Sequence, residues 1–195
     1  MKRRGDTGAP SLRERKKAKT RDSIQQQALR LFHEQGYEAT TIDQIVEAAE
    51  VSQSTFFRYF PTKEDVLFYD TFDPILTTAV QNQPPELNIV AAVRAAFRDV
   101  SSDGMGPEWE RQKLILSTPE LRPRLLDEFV RTLDAFTVVV AERSGRSPDD
   151  FAVRAVAGAI VGVGMAALFS VGDDPAAFLD LFDVGLRELQ VGLLL

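Results

Sequence analysis

The stretch Gln53-Ser54-Thr55-Phe56-Phe57-Arg58-Tyr59-Phe60 gathers the side-chain types that read base edges in a DNA major groove. A Gln amide bonds adenine in a bidentate way, an Arg guanidinium does the same with guanine, and a Thr methyl meets a thymine methyl. Each good bidentate pair discriminates by ~1–3 kcal/mol. Phe56 and Phe60 stand at i and i+4 and share one helical face, so Gln53, Ser54, Thr55 and Arg58 project elsewhere. Tyr59 and Lys63 suit phosphate oxygens, and Thr41, at an earlier helix start, suits them too. A short amphipathic helix inside an ordinary bundle has the same spacing. Chemistry alone therefore leaves both readings open.

To present that face, the helix must be short, capped and braced by others, and the surrounding sequence supplies the signals. Ser11 and Glu14 fit a capping box for a first helix, whose stripe is Ile24, Ala28, Leu31 and Phe32 and whose stop is Gly36. His33 lies beside that stripe as a boundary residue. Thr41 and Gln44 fit a second box, opening a helix that buries Ile42, Ile45, Val46 and Ala49. Glu50-Val51 makes a very short turn, Ser52 caps the third helix, and Pro61 closes it. Two short helices across a tight turn suit a helix-turn-helix, in which the first braces on phosphates and the second enters the groove. Thr62 is expected to cap a fourth helix running towards Val80, kinked at Pro74, with Lys63 at its start.

Gln81–Glu86, with Pro84 and Pro85, reads as a linker, and the helical pattern continues beyond it over 88–101, 107–117 and 120–143. Ser147-Pro148-Asp149-Asp150 has the signature of a helix start with proline at its first position, and Asp174-Pro175 opens the last helix. No stretch alternates like a strand. The fold class expected is all-α with about nine helices: a flexible basic arm over 1–11, a three-helix unit with the helix-turn-helix over 12–67, and a helical bundle over 68–195. Residues 155–172 carry no charge and reach the minimum for a membrane span. Their alanine and glycine content, including Gly158 and Gly162, fits a helix buried in a core or a dimer interface better.

The chain of 195 residues has no cysteine and one histidine, which leaves little room for thiolate or histidine metal sites; no metal or cofactor is expected. No apolar run follows the basic N-terminus, so the expectation is a cytoplasmic protein without a secretory signal. The net charge of −6 opposes a polyanionic partner only if it is spread evenly, and it is not. Residues 1–30 carry ten Lys/Arg against Asp6, Glu14 and Asp22, a local +7, whereas residues 66–195 carry −8. The positive end is the one that precedes the candidate recognition helix.

Gly36-Tyr37-Glu38-Ala39-Thr40-Thr41-Ile42, then Ile45-Val46-Glu47-Ala48-Ala49, Val51-Ser52, Ser54 to Phe60 and Lys63-Glu64 resemble the DNA-binding domain of the TetR family over about residues 15–67. The resemblance implies a homodimer on double-stranded DNA with a palindromic operator, and an all-α C-terminal domain for a small effector. Carried over by position, it implies DNA contacts at Thr41, Gln53, Ser54, Thr55, Phe57, Arg58, Tyr59 and Lys63. Glu50 departs from the family, which often has Gly in this turn. If the position is left-handed, Glu costs on the order of 1 kcal/mol there.

Glu108-Trp109-Glu110-Arg111 to Leu116 and Pro119-Glu120-Leu121-Arg122 are similar to a subgroup with an acyl-CoA-like ligand-binding domain. A long apolar effector needs a tunnel of large hydrophobic side chains. Phe97, Trp109, Phe129, Leu133, Phe136, Met165 and Phe169 are the candidate lining, with plain bundle core as the alternative for each. A different class of function is a small all-α carrier or enzyme with no DNA role, and catalysis would need a carboxylate pair or a nucleophile in a pocket. Glu108 and Glu110, two apart on a helix, point in different directions, so no enzyme is expected. The basic run Arg13–Arg21 can follow phosphates or reach a minor groove. Deleting residues 1–14 is expected to weaken binding to all DNA sequences alike and to flatten its salt dependence; an unchanged slope in a salt titration contradicts this.

Overall fold

Ser11 opens α1, Leu12–Gln35, by a reciprocal pair of bonds: Glu14 N–H donates to Ser11 Oγ at 3.2 Å and Ser11 N–H donates to Glu14 Oε2 at 2.7 Å. This first element belongs to a computed structural model that describes residues 11–70, 72–102, 106–172 and 174–192. Residues 1–10 of the expected arm lie outside the described residues. The chain divides into one unit through Tyr69 and another from Asp70. Nine α-helices and two 3-10 turns, with no strand, make up the described residues.

In the first unit, α1 buries Ile24, Ala28 and Phe32 and ends at Gly36, whose φ of +88° suits a residue without Cβ. Thr41 and Gln44 close the second capping box on α2, Ile42–Ala48. Ser52 Oγ accepts from the Thr55 N–H at 3.2 Å and opens α3, Gln53–Tyr59. A seven-residue helix is too short to persist alone. Burial of Ile45, Phe56, Phe60, Val66 and Leu67 supplies what propensity does not. Tyr37 adds a ring against Phe32 at 5.2 Å and donates its hydroxyl to Glu64 Oε1 at 2.9 Å.

A continuous fourth helix from Thr62 does not form. Thr62 and Asp65 instead cap each other around the 3-10 turn Glu64–Val66. The Gln25 amide, buried in α1, donates to the carbonyls of Val66 at 2.9 Å and Tyr69 at 2.6 Å, fastening this turn to the core. In the second unit, Asp70 Oδ1 accepts from the Phe72 N–H at 2.7 Å, and α4 spans Phe72–Gln81. Pro74 therefore lies in a first turn, where its missing N–H has no helical partner to lose, and is no mid-helix kink.

The second unit packs α5 (Ile89–Val100), α6 (Gly106–Ser117), α7 (Leu125–Ser144), α8 (Phe151–Ser170) and α9 (Pro175–Val191) with α4 around one apolar cluster. Two expected starts move. Pro119–Arg124 winds as a 3-10 turn, because Pro119 and Pro123 each remove a backbone donor, so α7 begins at Leu125. The cap of α8 is Asp150, whose carboxylate accepts from the Ala152 N–H at 2.9 Å; Ser147 begins a turn before it. The Gln81–Glu86 stretch is a tied connection inside this unit. One guanidinium, Arg143, donates to the carbonyls of Val80, Gln83, Pro84 and Leu87 at 2.8–3.1 Å.

Small residues set the spacing of α8 and α9. A Cβ on Gly185 would stand 2.5 Å from Val163 Cγ1, so α9 requires glycine there to approach α8. Gly158 and Gly162 make no such approach within the chain: a Cβ on Gly158 would meet only Leu133 at 3.8 Å, and one on Gly162 nothing within 4 Å. Arg94 of α5 forks onto Asp183 of α9 at 2.8 and 3.0 Å, and these bonds hold that carboxyl down to about 2.

Glu50, in the turn between α2 and α3, has φ +53° and is the one non-glycine residue with positive φ among the described residues. Replacing Glu50 by Gly relieves the left-handed strain but adds backbone entropy to the unfolded chain, leaving a net gain of about 0.5–1 kcal/mol. Urea unfolding of Glu50→Gly is expected to show that gain; a loss of stability contradicts strain at this turn.

Candidate functional site

The outward face of α3 is set by what its inward face buries. Phe56 is fully buried, with Phe60 at 5.9 Å and Phe57 edge-on at 5.5 Å between ring centroids. With Phe56 fixed, Gln53, Ser54, Phe57 and Arg58 are exposed, and Thr55 and Tyr59 are half-buried at the edges. Phe57 is 48% exposed, an expensive place for an aromatic ring unless something apolar meets it. The face thus combines an amide, two hydroxyls, a guanidinium and a ring.

Local bonds pre-orient several of these groups. Ser52 Oγ lies 2.9 Å from both Ser54 Oγ and Thr55 Oγ1, so the three hydroxyls form one cluster at the start of α3. Gln53 Nε2 donates to Asp43 Oδ1 on α2, which joins the two helices on their exposed side. Arg58 lies over the Tyr59 ring at 5.3 Å. Sequence reasoning did not find Asp43, because its role depends on how α2 crosses α3.

Lys63 differs from its expected role. Its ammonium donates to the carbonyls of Tyr37 at 2.9 Å and Thr40 at 3.1 Å and lies 4.1 Å from the Tyr37 ring centroid. Two of its three donors are committed to holding the loop before α2, and no α-helix begins beside it. Thr41, one residue on, is exposed with its hydroxyl already in the α2 cap. Arg21, at the end of the basic run, lies over the Tyr69 ring at 4.7 Å and near Tyr59 and Phe60. Arg13, Lys16, Lys17 and Lys19 are exposed along the first turns of α1.

The second unit contains a cavity of about 160 Å3 among α4, α6, α7, α8 and α9, reached also by Phe97 of α5. Of the expected lining, Phe97, Trp109, Phe129, Phe136 and Met165 are brought together there. Leu133 packs against the adjoining apolar cluster instead, and Phe169 faces outward, 61% exposed. Phe169 follows helical spacing from Met165, but α8 is buried on one side only, and position 169 is on the other.

The polar part of this wall was not foreseen. Asp70, Asp73, Glu108 and Glu128 all line the cavity, with Gln112 and Thr132. Arg111, 2% exposed, binds Glu108 through Nε at 3.0 Å and Nη2 at 2.5 Å and stands 3.6 Å from Asp70. Asp73 accepts from Thr132 Oγ1 at 2.7 Å, and burial, reinforced by the Asp70 carboxylate, pushes its carboxyl up to about 6. The i, i+3 pair Asp70 and Asp73 and the i, i+4 pair Glu128 and Thr132 were available signals. They point to one space only once α4 and α7 are packed.

Comparison with known proteins agrees with both units. Residues 24–69 match the family model for bacterial regulatory proteins of the tetR family, and residues 83–194 match the model for the MftR C-terminal domain. The chain is 35% identical over 173 residues to the HTH-type transcriptional regulator TcmR of Streptomyces glaucescens, covering 83% of this chain and 76% of that one. It is 28% identical to the mycofactocin biosynthesis transcriptional regulator MftR assigned to Mycobacterium tuberculosis, over 78% of this chain and 80% of that one. A TetR-family structure from Syntrophomonas wolfei matches with TM-score 0.67 at 19% identity, over 91% and 98% of the two chains. Thermus thermophilus FadR, a TetR-family repressor solved with lauroyl-CoA, matches with TM-score 0.59 at 24% identity, over 90% and 95%. The helix-turn-helix geometry, the all-α second unit and these matches together place the chain in the TetR family of transcriptional regulators, a family of DNA-binding proteins and not of enzymes.

Proposed function

We propose that this regulator is a homodimeric repressor that binds a palindromic operator through α3 and leaves it when a small effector fills the cavity of the second unit. The observation that carries the reading is the exposed face of α3, where Gln53, Ser54, Thr55, Phe57 and Arg58 stand out from a helix held by Phe56. Arg58 and Gln53 carry the base contacts, Phe57 meets sugar or thymine methyl, and Thr41 and Tyr59 meet phosphate. Lys63 acts mainly by holding the Tyr37–Thr40 loop, with one donor left for a phosphate.

A pair of α3 helices requires two copies of the chain. The outer face of α8 and α9 supports that requirement, since Val156, Phe169, Leu181 and Val184 are large, apolar and exposed. α8 is also long and apolar enough to cross a membrane, but its other face packs on α7 and α9 within this unit. An interface between copies accounts for the exposed face without a membrane, in a cytoplasmic protein. Two-fold pairing would set the α3 helices at multiples of one DNA turn, ~34–36 Å.

For the effector, the complex of FadR with lauroyl-CoA supports an apolar ligand, and a long-chain acyl-CoA is the reading that the sequence suggests. The four carboxylates on the cavity wall favour a different head group.

Retardation of the DNA upstream of the chain's own coding region tests the reading. Arg58→Ala is expected to weaken binding to that fragment by about tenfold or more while changing binding to unrelated DNA little. Equal loss on both fragments, or no loss, contradicts base reading by α3.

A further inference from the structure

The charges around the cavity do not cancel. Arg111 pairs with Glu108 and, more distantly, answers Asp70 and Glu128, while among the described residues Glu128 has its one direct ion pair with Arg131, one turn along α7 with a side chain 54% exposed. Asp73 makes no ion pair among the described residues; its one side-chain partner is the Thr132 hydroxyl. A carboxylate withdrawn from water with no cation beside it costs several kcal/mol in stability. Retaining it beside other carboxylates in a cavity whose remaining wall is largely apolar is explained if a cation arrives from outside. A second, independent group on the same wall is unfilled: the side chain of Trp109 is buried, 4% exposed, and its Nε1–H has no acceptor. A buried indole N–H ordinarily finds one.

We propose that the cavity receives an organic cation: an amine on an aromatic or compact apolar body, its ammonium set between Asp73 and Glu128 and its body among Phe97, Trp109, Phe129 and Phe136. The inference deepens the effector reading and rests on it for the cavity being a ligand site. Asp73 and Glu128 supply the counter-charge, Thr132 orients Asp73, and the rings add their negative faces to the cation's surroundings. A carbonyl, ether or hydroxyl oxygen on the ligand body would satisfy Trp109 Nε1–H. A carboxylate or phosphate head in the same place would face Asp70, Asp73, Glu108 and Glu128 with only Arg111, already bound to Glu108, to answer it.

Titration of Asp73 gives a pH signature. Asp70 on its own side, Glu108, Arg111 and Gln112 on α6, and Glu128 and Thr132 on α7 surround it, and its carboxyl takes up a proton as pH falls through about 6. The advantage of a cation therefore declines below that pH, whereas an uncharged ligand is little affected.

The chain has a single tryptophan, Trp109, so its fluorescence reports occupancy directly. Phenylbutylamine, phenylbutanol and phenylbutyrate share one skeleton and differ only in the head group. Each is titrated against the full chain at pH 7.5 and pH 5.5, with calorimetry as a second readout, and against Asp73→Asn and Glu128→Gln. The expected order is amine, alcohol, carboxylate, with amine and carboxylate separated by about tenfold or more in affinity. Each substitution is expected to bring the amine closer to the alcohol and leave the alcohol within about twofold, and lowering the pH is expected to narrow the gap in the same direction but only in part. Binding of the alcohol or carboxylate as tight as the amine overturns the cation proposal and leaves an effector cavity standing. An amine preference that survives both substitutions overturns it as well, by placing the cation elsewhere. No fluorescence or heat response to any of the three, in a chain that still retards DNA, overturns cation and cavity together. The expected pattern without release of bound DNA supports the cation site and counts against its role as effector site.

Discussion

Burial of Phe56 and Phe60 is the interaction on which the DNA-facing half depends, because α3 is shorter than a helix that water tolerates alone. Its two ends are specified locally, by the Ser52 hydroxyl at the start and by Pro61 at the finish, but the helix persists because its aromatic side is buried, as Ile45, Val66 and Leu67 of the same unit are. The polar face is a consequence of that fit. Since Phe56 fixes the rotation of α3, the positions of Gln53, Ser54, Phe57 and Arg58 follow from the 3.6-residue repeat. The supporting polar groups work at longer range: Gln25 holds the segment after α3 through two carbonyls, and Lys63 holds the loop before α2 through two more. Both bind backbone, so neither constrains which bases the face reads.

Strain and unfilled polar capacity are confined to a few places. Glu50 is left-handed in the turn that sets the angle between α2 and α3, where glycine would adopt the same backbone at lower cost. In the second unit, most buried polar groups are satisfied inside the chain, and Arg143 alone gathers four carbonyls of the α4–α5 connection. Ser101 Oγ, Arg143 Nε and Trp109 Nε1 are the exceptions, and Trp109 shares its cavity with Asp73, which accepts one hydrogen bond from Thr132 and has no ion pair among the described residues. A ligand there can shift a DNA-binding equilibrium only by its differential affinity for the two forms, often ~1–3 kcal/mol. One well-placed ion pair in a partly dry cavity is of that order.

What the sequence made legible was local. The boxes at Ser11 and Thr41, the Ser52 cap, the Gly36 stop and the Asp174-Pro175 start each involve partners within four residues, and all appear where the spacing puts them. The expectations that moved were those in which a second local solution competed. Thr62 found Asp65 and made a 3-10 turn, Asp150 capped α8 in place of Ser147, and prolines at 119 and 123 delayed α7. Gln81–Glu86 looked like a linker because its prolines break helix. Arg143, distant in sequence, is what makes it part of the second unit. The cavity was legible as a set of large apolar residues but not as a charged site. Asp70, Asp73, Glu108 and Glu128 come from three helices and a loop, and beyond the i, i+3 spacing of Asp70 and Asp73 no spacing rule links them.

The central claim is that the exposed face of α3 enters a major groove. The chain has no cysteine, so a single Ser54→Cys substitution gives one attachment point on that face. Iron–EDTA tethered there and activated on the bound operator is predicted to cut at two clusters centred on major grooves, separated by a whole number of helical turns of ~10 base pairs. A cleavage ladder no different from that of untethered iron–EDTA would contradict the account.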